Sequence, residues 1–486
     1  MSNLVKSTIV YTLGELIPKL FSIAFLPIFT TYLSSSDYGI MSYTNSVMLF
    51  LYVLACLALN SFLLRKYYEF KTEYDRKKLI GNVASVIVFF NLFILALAFL
   101  IGPPLSKYAD LKIDFFPYFS LSLIINFLEV FSIVPLVIFR IKEKPTQYVL
   151  LNIGKNVIPY LIIYYLLAYS KWGLLSFYYG KLFVNIAFLI PLVYITYRNA
   201  VFDISISLIK EGLKFSIPLL PGTIAYLLMS ISDRIIMERY ISLSMIGIYS
   251  IAFTLASGLG MFIQSAYRAF EPEIFKKFGN EGFSSFTDGL HRIFMFIVFS
   301  MAIVLSLFSK EILLLLTKGD FINGYTLVPI LIIGAILTAE NALLGSIAIA
   351  EKKTKLSMYS TIIGAVISIA VNIIFLPYIG YYAAAIAYIV SFLAMNIVTF
   401  IGLENKLFGI RYDLFAFITY SIVSIISTLF ITHLSWNIAY IVILKLLVIM
   451  VGALLLGKTY KIQFQQIKVM VFIPFQSYLQ IGKKIN

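Results

Sequence analysis

The chain of 486 residues is 61% hydrophobic and only 13% charged, and its mean hydropathy is +0.95. Soluble domains carry about 25% charged residues, so this composition excludes a water-soluble protein and indicates one embedded in a membrane. One cysteine and two histidines exclude a disulfide framework, thiolate zinc sites, iron–sulfur clusters and histidine metal clusters, and we predict no cofactor.

Fourteen apolar stretches have the length of about 20 residues that a bilayer-spanning helix needs. In chain order they are residues 9–32, 40–64, 79–101, 116–139, 148–169, 174–197, 215–236, 246–267, 293–316, 326–350, 358–377, 383–403, 414–434 and 438–457. Lipid offers no partner to an exposed backbone, and the stretches show no period-two alternation, so helices are expected. The predicted fold class is an all-α polytopic membrane protein of about fourteen transmembrane helices.

The net charge of +15 gives the orientation of these helices. With the predicted spans, 27 lysines and arginines fall on one side of the membrane and six on the other, while five lie within spans. Basic residues collect in cytoplasmic loops. Both termini are therefore expected in the cytoplasm.

Two segments of the chain repeat at one offset. YLSSSDYGIMS at 32–42 recurs 208 positions later as YISLSMIGIYS at 240–250, with six identities. At the same offset, Glu143 and Lys144 of a short loop match Glu351 and Lys352. A duplicated unit of six helices inserts both copies the same way up, which makes it a parallel repeat.

This repeat predicts a division of the chain into two six-helix lobes with two extra helices. The predicted parts are an N-lobe at 1–197, a cytoplasmic linker at 198–214, a C-lobe at 215–403, helices 13 and 14 at 404–457 and an amphipathic cytoplasmic tail at 458–486. Pro18 and Pro27 interrupt the first helix, and Pro218 and Pro221 interrupt the seventh. Interrupted helices at matching positions of two halves indicate a transport site, although prolines are also generally common in membrane helices.

Charged residues inside predicted spans are costly and need a reason. Lys19, Lys155 and Lys181 form a stepped cationic track across the first lobe if they face one cavity. Such a track suits an anionic cargo, since a phosphate otherwise faces hydrocarbon uncompensated. Snorkelling to an interface is the alternative for Lys155 and Lys181, and it is the expectation for Lys445.

Acidic residues within the spans are candidates for binding a coupling ion. They are Glu15, Glu129, Asp233 and Glu340. Glu15 lies four residues before Lys19, so the two share a helix face. Arg234 is a fourth candidate for binding an anionic substrate. Because neighbours on a helix point about 100° apart, Asp233 and Arg234 are not expected to face the same way, and capping of the helix end is their alternative role.

The sequence offers little support for a catalytic function. GALLLGKT at 452–459 matches the phosphate-loop pattern, but three leucines inside an apolar helix replace the glycine-rich turn that cradles phosphate. The short outer loops argue against a membrane glycan ligase or polymerase. The amphipathic stretches 268–292 and 458–486 suit the anionic inner leaflet, so membrane lipids are expected partners and nucleic acid is not.

Two segments resemble the polysaccharide flippases of the O-antigen type (Wzx-like), within the exporter superfamily that includes MATE drug exporters and lipid II flippases. They are PKLFSIAFLPIFTTYLSSSDYG at 18–39 and SDRIIMERYISLSMIGIYSIAFTLA at 232–256. The resemblance implies two V-shaped lobes around a central cavity and alternating access. It also implies a polyprenyl-diphosphate-linked oligosaccharide as cargo, held by Lys19, Lys155, Lys181 and Arg234.

The resulting hypothesis is a non-enzymatic flippase of the bacterial inner membrane that carries an O-antigen or capsule repeat unit. A glycan polymerase and a chain-length regulator are further candidate partners. The alternatives are a MATE-like ion-coupled exporter of small cations, which calls for an acidic cavity, and a membrane-embedded glycan ligase or polymerase.

Overall fold

The computed structural model describes residues 14, 16–403, 416, 418, 420–426, 430–431 and 438–460. Within these ranges the chain is helical and contains no strand. Twelve helices are long and apolar enough to cross a membrane, and they correspond to the predicted spans other than the first and the thirteenth. Both of those spans include residues outside the described ranges. The all-α, polytopic fold class is confirmed.

The first part of the described chain begins with a helical stretch at 16–24. The helices that follow are α1 (Leu26–Tyr32), α2 (Ser35–Cys56), α3 (Leu59–Lys66), α4 (Glu73–Tyr108), α5 (Ser120–Val130), α6 (Ile133–Ile141), α7 (Pro145–Tyr165), α8 (Leu175–Asn199), α9 (Ile206–Ser216) and α10 (Leu220–Tyr240). Short π-helical turns at Phe115–Phe119 and Leu166–Ser170 precede α5 and follow α7.

The second part continues the helical pattern. Its helices are α11 (Leu243–Lys277), α12 (Phe283–Leu307), α13 (Ser309–Leu316), α14 (Val328–Ala350), α15 (Thr354–Ile379), α16 (Tyr381–Gly402) and α17 (Ile438–Thr459). The helix α17 runs through Gly452 and Gly457, so the phosphate-loop match lies in regular helix. Most of the predicted tail, 461–486, lies outside the described residues.

Contacts divide the chain into two compact units. The first comprises residues 1–248 with 316–321, and the second comprises 249–315 with 322–486. The first unit therefore takes in α9 and α10, which the repeat assigns to the linker and the C-lobe. The division into lobes by sequence repeat stays a prediction.

Three of the four predicted prolines lie at helix interruptions, whereas Pro18 lies within the helical stretch at 16–24 and does not break it. The helical stretch at 16–24 gives way to a turn at Phe25, and α1 starts with Pro27 in its first turn. A 3₁₀ turn at Ile217–Leu219 contains Pro218, and α10 begins with Pro221 in its first turn. Proline lacks a backbone donor and fits the first turn of a helix, which explains where these helices begin.

The two copies of the repeat touch each other inside the first unit. Ser34 caps α2 by accepting from the Asp37 amide at 3.2 Å, and its counterpart Ser242 accepts from the Met245 amide at 3.3 Å before α11. A Cβ on Gly39 would lie 1.9 Å from the Leu243 carbonyl oxygen. A Cβ on its counterpart Gly247 would lie 2.0 Å from the Ser35 carbonyl oxygen, at the start of α2. At the repeated glycines, the backbones of the two helices therefore approach too closely for a Cβ.

The second repeated loop has the same backbone shape in both halves, with a corrected register. The residue with positive φ is Glu143 in one loop and Lys352 in the other, an offset of 209 and not 208. The Lys144 amide donates to the Phe139 carbonyl at 2.9 Å. The Lys353 amide, 209 positions later, donates to the Ala348 carbonyl at 2.9 Å. The letter match of Glu143 with Glu351 was therefore wrong by one residue, because the turn fixes backbone conformation and not side-chain identity.

The linker between α8 and α9 is fastened to the start of α4. Asp203 accepts from Lys78 Nζ at 2.5 Å and from the Tyr74 hydroxyl at 2.9 Å. Asn82 donates to the Asp203 carbonyl at 2.8 Å and accepts from the Ser205 amide at 2.8 Å. Hydrogen bonding from Lys78, and next from Tyr74, holds the pKa of Asp203 below its ordinary value.

Two predicted features of the second unit can be located in the structure, and one of them is corrected. The predicted amphipathic stretch 268–292 is largely helical, since α11 extends to Lys277 and α12 begins at Phe283. Lys445 does not snorkel: it is 1% exposed, and its Nζ lies 2.6 Å from Glu311 Oε1. A carboxylate within reach compensates the buried ammonium, and sequence alone does not reveal that the two helices meet.

Candidate functional site

Three of the predicted basic residues line one cavity in the first unit. This lysine cavity has a volume of about 250 Å³. Lys19, Lys155, Lys181 and Glu129 all contribute to its wall. Three ammonium groups and one carboxylate leave a net formal charge of +2. They come from four different segments: the stretch at 16–24, α7, α8 and α5.

Lys155 is held by the break between α5 and α6. Its Nζ donates to the Glu129 carbonyl at 3.0 Å and to Ser132 Oγ at 2.8 Å. The carbonyls at a helix C-terminus lack intrahelical partners and carry partial negative charge, so an ammonium is stabilised there. The helix break therefore fixes Lys155 at the cavity wall, ten residues after Pro145, or about 15 Å along α7.

Lys181 and Lys19 are not engaged in this way. The Nζ of Lys181 lies 4.5 Å from the centroid of the Phe177 ring, and the residue is half-buried. Lys19 is exposed at the cavity. Neither ammonium has a hydrogen bond or a salt bridge to another described residue. Glu15, the predicted partner of Lys19, lies outside the described residues.

Glu129 occupies the centre of the site. It lines the lysine cavity and two further cavities, of about 260 Å³ and about 30 Å³, in the same unit. Its carboxylate is an electrostatic neighbour of both Lys155 and Lys181, but makes no hydrogen bond within the described chain. A lone carboxylate among lysines can balance part of their charge when no ligand is present.

The cavity of about 260 Å³ is lined mainly by polar side chains, and we call it the amide cavity. Its polar lining consists of Asn45, Tyr52, Asn126, Glu129, Ser132, Asn152, Lys155 and Asn156. Glu129, Lys155 and Asn156 also line the lysine cavity, so the two cavities share a wall. Sequence reasoning missed these asparagines. The signal was their spacing: Asn126 precedes Glu129 by three residues, and Asn152 and Asn156 flank Lys155 on one helix face.

The structure places Asp233 and Arg234 elsewhere. They are 5% and 7% exposed, and Arg234 Nη1 lies 3.1 Å from Asp233 Oδ1 and 2.7 Å from the Ser230 carbonyl. The expectation that these neighbours face apart was wrong, because the long arginine side chain folds back along α10. Neither residue lines any of the three cavities described above.

Glu340 belongs to the second unit. It is 4% exposed in α14, where it hydrogen-bonds with Asn396, while its Oε2 atom has no partner in the described part. It lines none of the three cavities described above. Among the described residues, no group of three or more His, Cys, Asp or Glu is arranged to hold a metal ion.

The charged site is not duplicated with the fold. The position 208 residues after Lys19 is Leu227, and the positions 209 residues after Lys155 and Lys181, past the loop that shifts the register, are Gly364 and Val390. The second copy of the repeat is thus apolar where the first carries its ammonium groups.

Comparison with known sequences gives two family matches. The family model described as polysaccharide biosynthesis protein matches residues 4–277, more than half of the chain. The MatE family model matches residues 218–374. No curated protein sequence matches the chain.

Solved structures show the same fold. The lipid II flippase MurJ in an inward closed conformation has a TM-score of 0.73 at 15% identity, covering 93% of this chain and 99% of that chain. An inward-facing multidrug resistance MATE family transporter of the MOP superfamily has a TM-score of 0.66 at 13% identity, covering 82% and 98%. An outward-facing MATE transporter has a TM-score of 0.55 at 16% identity, covering 83% and 95%.

Proposed function

The chain belongs to the polysaccharide biosynthesis protein family, and from that membership we propose that it translocates a polyprenyl-diphosphate-linked oligosaccharide across the membrane. It acts as a flippase, without covalent chemistry. The diphosphate occupies the lysine cavity while the prenyl tail stays in lipid. An O-antigen or capsule repeat unit is the proposed glycan, and the bacterial inner membrane, with both termini cytoplasmic, is the proposed location.

The lysine cavity is the observation that carries this proposal. A diphosphate has only acceptor oxygens and negative charge, and ammonium groups supply donors and positive charge. The ammonium groups of Lys181 and Lys19 make no hydrogen bond or salt bridge within the described chain, so both are available to a ligand. Lys155, fixed by the helix break, presents a positioned charge. Arg234 already binds Asp233, so the proposal assigns the diphosphate to the three lysines.

A MATE-like exporter of small cations is the second candidate, and the match of the MatE model favours it. The charge of the cavity discriminates between the two candidates. A cation needs a net acidic lining, whereas this cavity carries three lysines and one glutamate. An electrostatic field of that sign attracts anions and repels cations. Glycan ligation or polymerisation gains no support from these contacts.

Ion coupling is a further part of the proposal. Glu129 is the candidate nearest the substrate site, and Glu15, Asp233 and Glu340 are the others. Two carboxylates, Glu129 and Glu340, lack a full set of partners among the described residues, which suits groups that exchange an ion. Flipping in proteoliposomes is expected to slow when proton and sodium gradients are collapsed; an unchanged rate would contradict coupling.

Changing Lys19 to alanine tests the proposed function in cells. Lys19 is exposed and makes no side-chain bond within the described chain, so its loss is expected to leave the protein level normal. Glycan export is expected to fail, because one of three ammonium groups is missing. Full export with Lys19→Ala would remove this residue from the mechanism.

A further inference from the structure

The amide cavity contains side chains that are already bonded and side chains that are not. Asn152 Nδ2 donates to the Gly14 carbonyl at 2.8 Å, and Asn156 Nδ2 donates to the Asn152 carbonyl at 2.8 Å and to its Oδ1 at 2.9 Å. These two amides therefore build the wall.

Asn126 and Asn45 differ from them. Asn126 on α5 is only 5% exposed, yet its amide has no hydrogen-bond partner in the described part of the chain. Asn45 on α2 is exposed at the same cavity and is also unbonded there. Asn126 is thus largely buried as a residue while its amide atoms open into the cavity, and an amide placed this way marks a place for a ligand group.

We propose that the amide cavity binds the first sugar of the glycan, next to the diphosphate held in the lysine cavity. This inference rests on the proposed function. Each amide offers both donors and an acceptor, which matches hydroxyl groups that also donate and accept. The two cavities lie side by side, because Glu129, Lys155 and Asn156 line both of them. A sugar bonded directly to a diphosphate needs two adjacent sites of this kind.

Other occupants fit less well. A second phosphate needs donors and positive charge, whereas this cavity supplies amides, one lysine and the Glu129 carboxylate. A prenyl tail would leave Asn126 without a partner, which is costly for a buried amide. The remaining lining is apolar and includes Met48, Leu49 and Leu136, and it suits the C–H face of a sugar ring. At about 260 Å³ the cavity is below the usual range of about 300–1,000 Å³ for drug-sized ligands, so one ring is the expected load.

This arrangement assigns sugar selectivity to Asn45 and Asn126. A site built to bond a polar group rejects analogues that lack the group more strongly than a hydrophobic pocket discriminates a methylene. The lysines then bind any polyprenyl diphosphate, and the two asparagines choose among the glycans that it carries.

The test compares two probes on purified full-length protein. The probes are farnesyl diphosphate and farnesyl diphosphate carrying one hexose or N-acetylhexosamine, and binding is measured by calorimetry. For the wild type, at least one sugar is expected to tighten binding by about tenfold, the value of one to two good hydrogen bonds. Asn126→Ala and Asn45→Ala are each expected to remove most of this gain, with the affinity for the bare probe changed less than twofold.

Asn372→Ala is the matched control, because it removes a buried asparagine of the second unit that lines none of the three cavities. It is expected to keep the sugar gain. If Asn126→Ala does not fold, Asn45→Ala at its exposed position carries the test. A sugar gain that survives in Asn45→Ala and in a folded Asn126→Ala, or an equal loss for both probes, would overturn the inference alone. Failure of the wild type to bind either probe would overturn the proposed function as well.

Discussion

Substituting Lys181 by methionine separates ligand binding from stability more cleanly than the other cavity variants do. Methionine keeps most of the apolar stem and removes the ammonium. In the structure that ammonium lies 4.5 Å from the centroid of the Phe177 ring and makes no hydrogen bond within the described chain. Losing such a contact costs about 0.5–1 kcal/mol of folding free energy, which is a small change in melting temperature.

The loss in binding is expected to be much larger. A hydrogen bond to a charged group contributes about 1.5–3 kcal/mol, so affinity for farnesyl diphosphate should fall by roughly 10-fold to 150-fold. Lys181→Arg should retain most of the affinity, because the charge is kept. Calorimetric titration and thermal unfolding of the same preparations give both quantities.

Lys310→Met is the matched control for Lys181→Met. The Lys310 ammonium also lies against an aromatic ring, 5.6 Å from the Tyr325 centroid, but it lines none of the three cavities. It should lose no affinity for farnesyl diphosphate. The reasoning fails if Lys181→Met binds this probe within twofold of the wild type, or if Lys310→Met loses as much affinity.

Three further variants test how the fold supports the site. Lys155→Met should lower the melting temperature as well as the affinity, by about 1–3 kcal/mol of unfolding free energy, since it removes the ammonium that donates to the Glu129 carbonyl and to Ser132 Oγ; unchanged stability would contradict this. Gly39→Ala should cost about 1–3 kcal/mol through the clash with Leu243, while Gly258→Ala, with no atom near the added methyl, should be nearly neutral in thermal unfolding; equal melting temperatures would refute the close contact. Asp203→Asn should speed proteolysis of the linker at neutral pH. Because the folded pKa of Asp203 is lowered, the wild-type linker should loosen only as the pH falls through that value, and a pH-independent cleavage rate would contradict this.

The helices follow from sequence because hydrophobic length and the absence of strand periodicity leave one solution in lipid. Their orientation, inferred from the distribution of basic residues, stays a prediction. The spacing of the lysines along the chain also predicts an anionic ligand. Lys19, Lys155 and Lys181 lie in one cavity, but their roles as substrate ligands stay predictions.

The sequence alone does not predict which groups the individual charged side chains contact. Lys445 pairs with Glu311 across 134 positions, and Arg234 folds back onto the residue before it. Such contacts depend on which helix faces meet and on side-chain rotamers, neither of which has a local signal. The amide cavity was missed for a related reason: an asparagine in a membrane helix can bond its own backbone, as Asn372 does with the Ser368 carbonyl, or remain open to a ligand, as Asn126 does.

Translocation itself is the most direct test of the lysine cavity. Proteoliposomes that contain a fluorescent polyprenyl-diphosphate oligosaccharide report its movement between leaflets through accessibility to a membrane-impermeant quencher. The wild type should exchange the lipid, and the Lys19→Met, Lys181→Met double variant, folded and equally reconstituted, should not. Equal exchange by both proteins, or transport of an organic cation in place of the glycolipid, would contradict the proposed function.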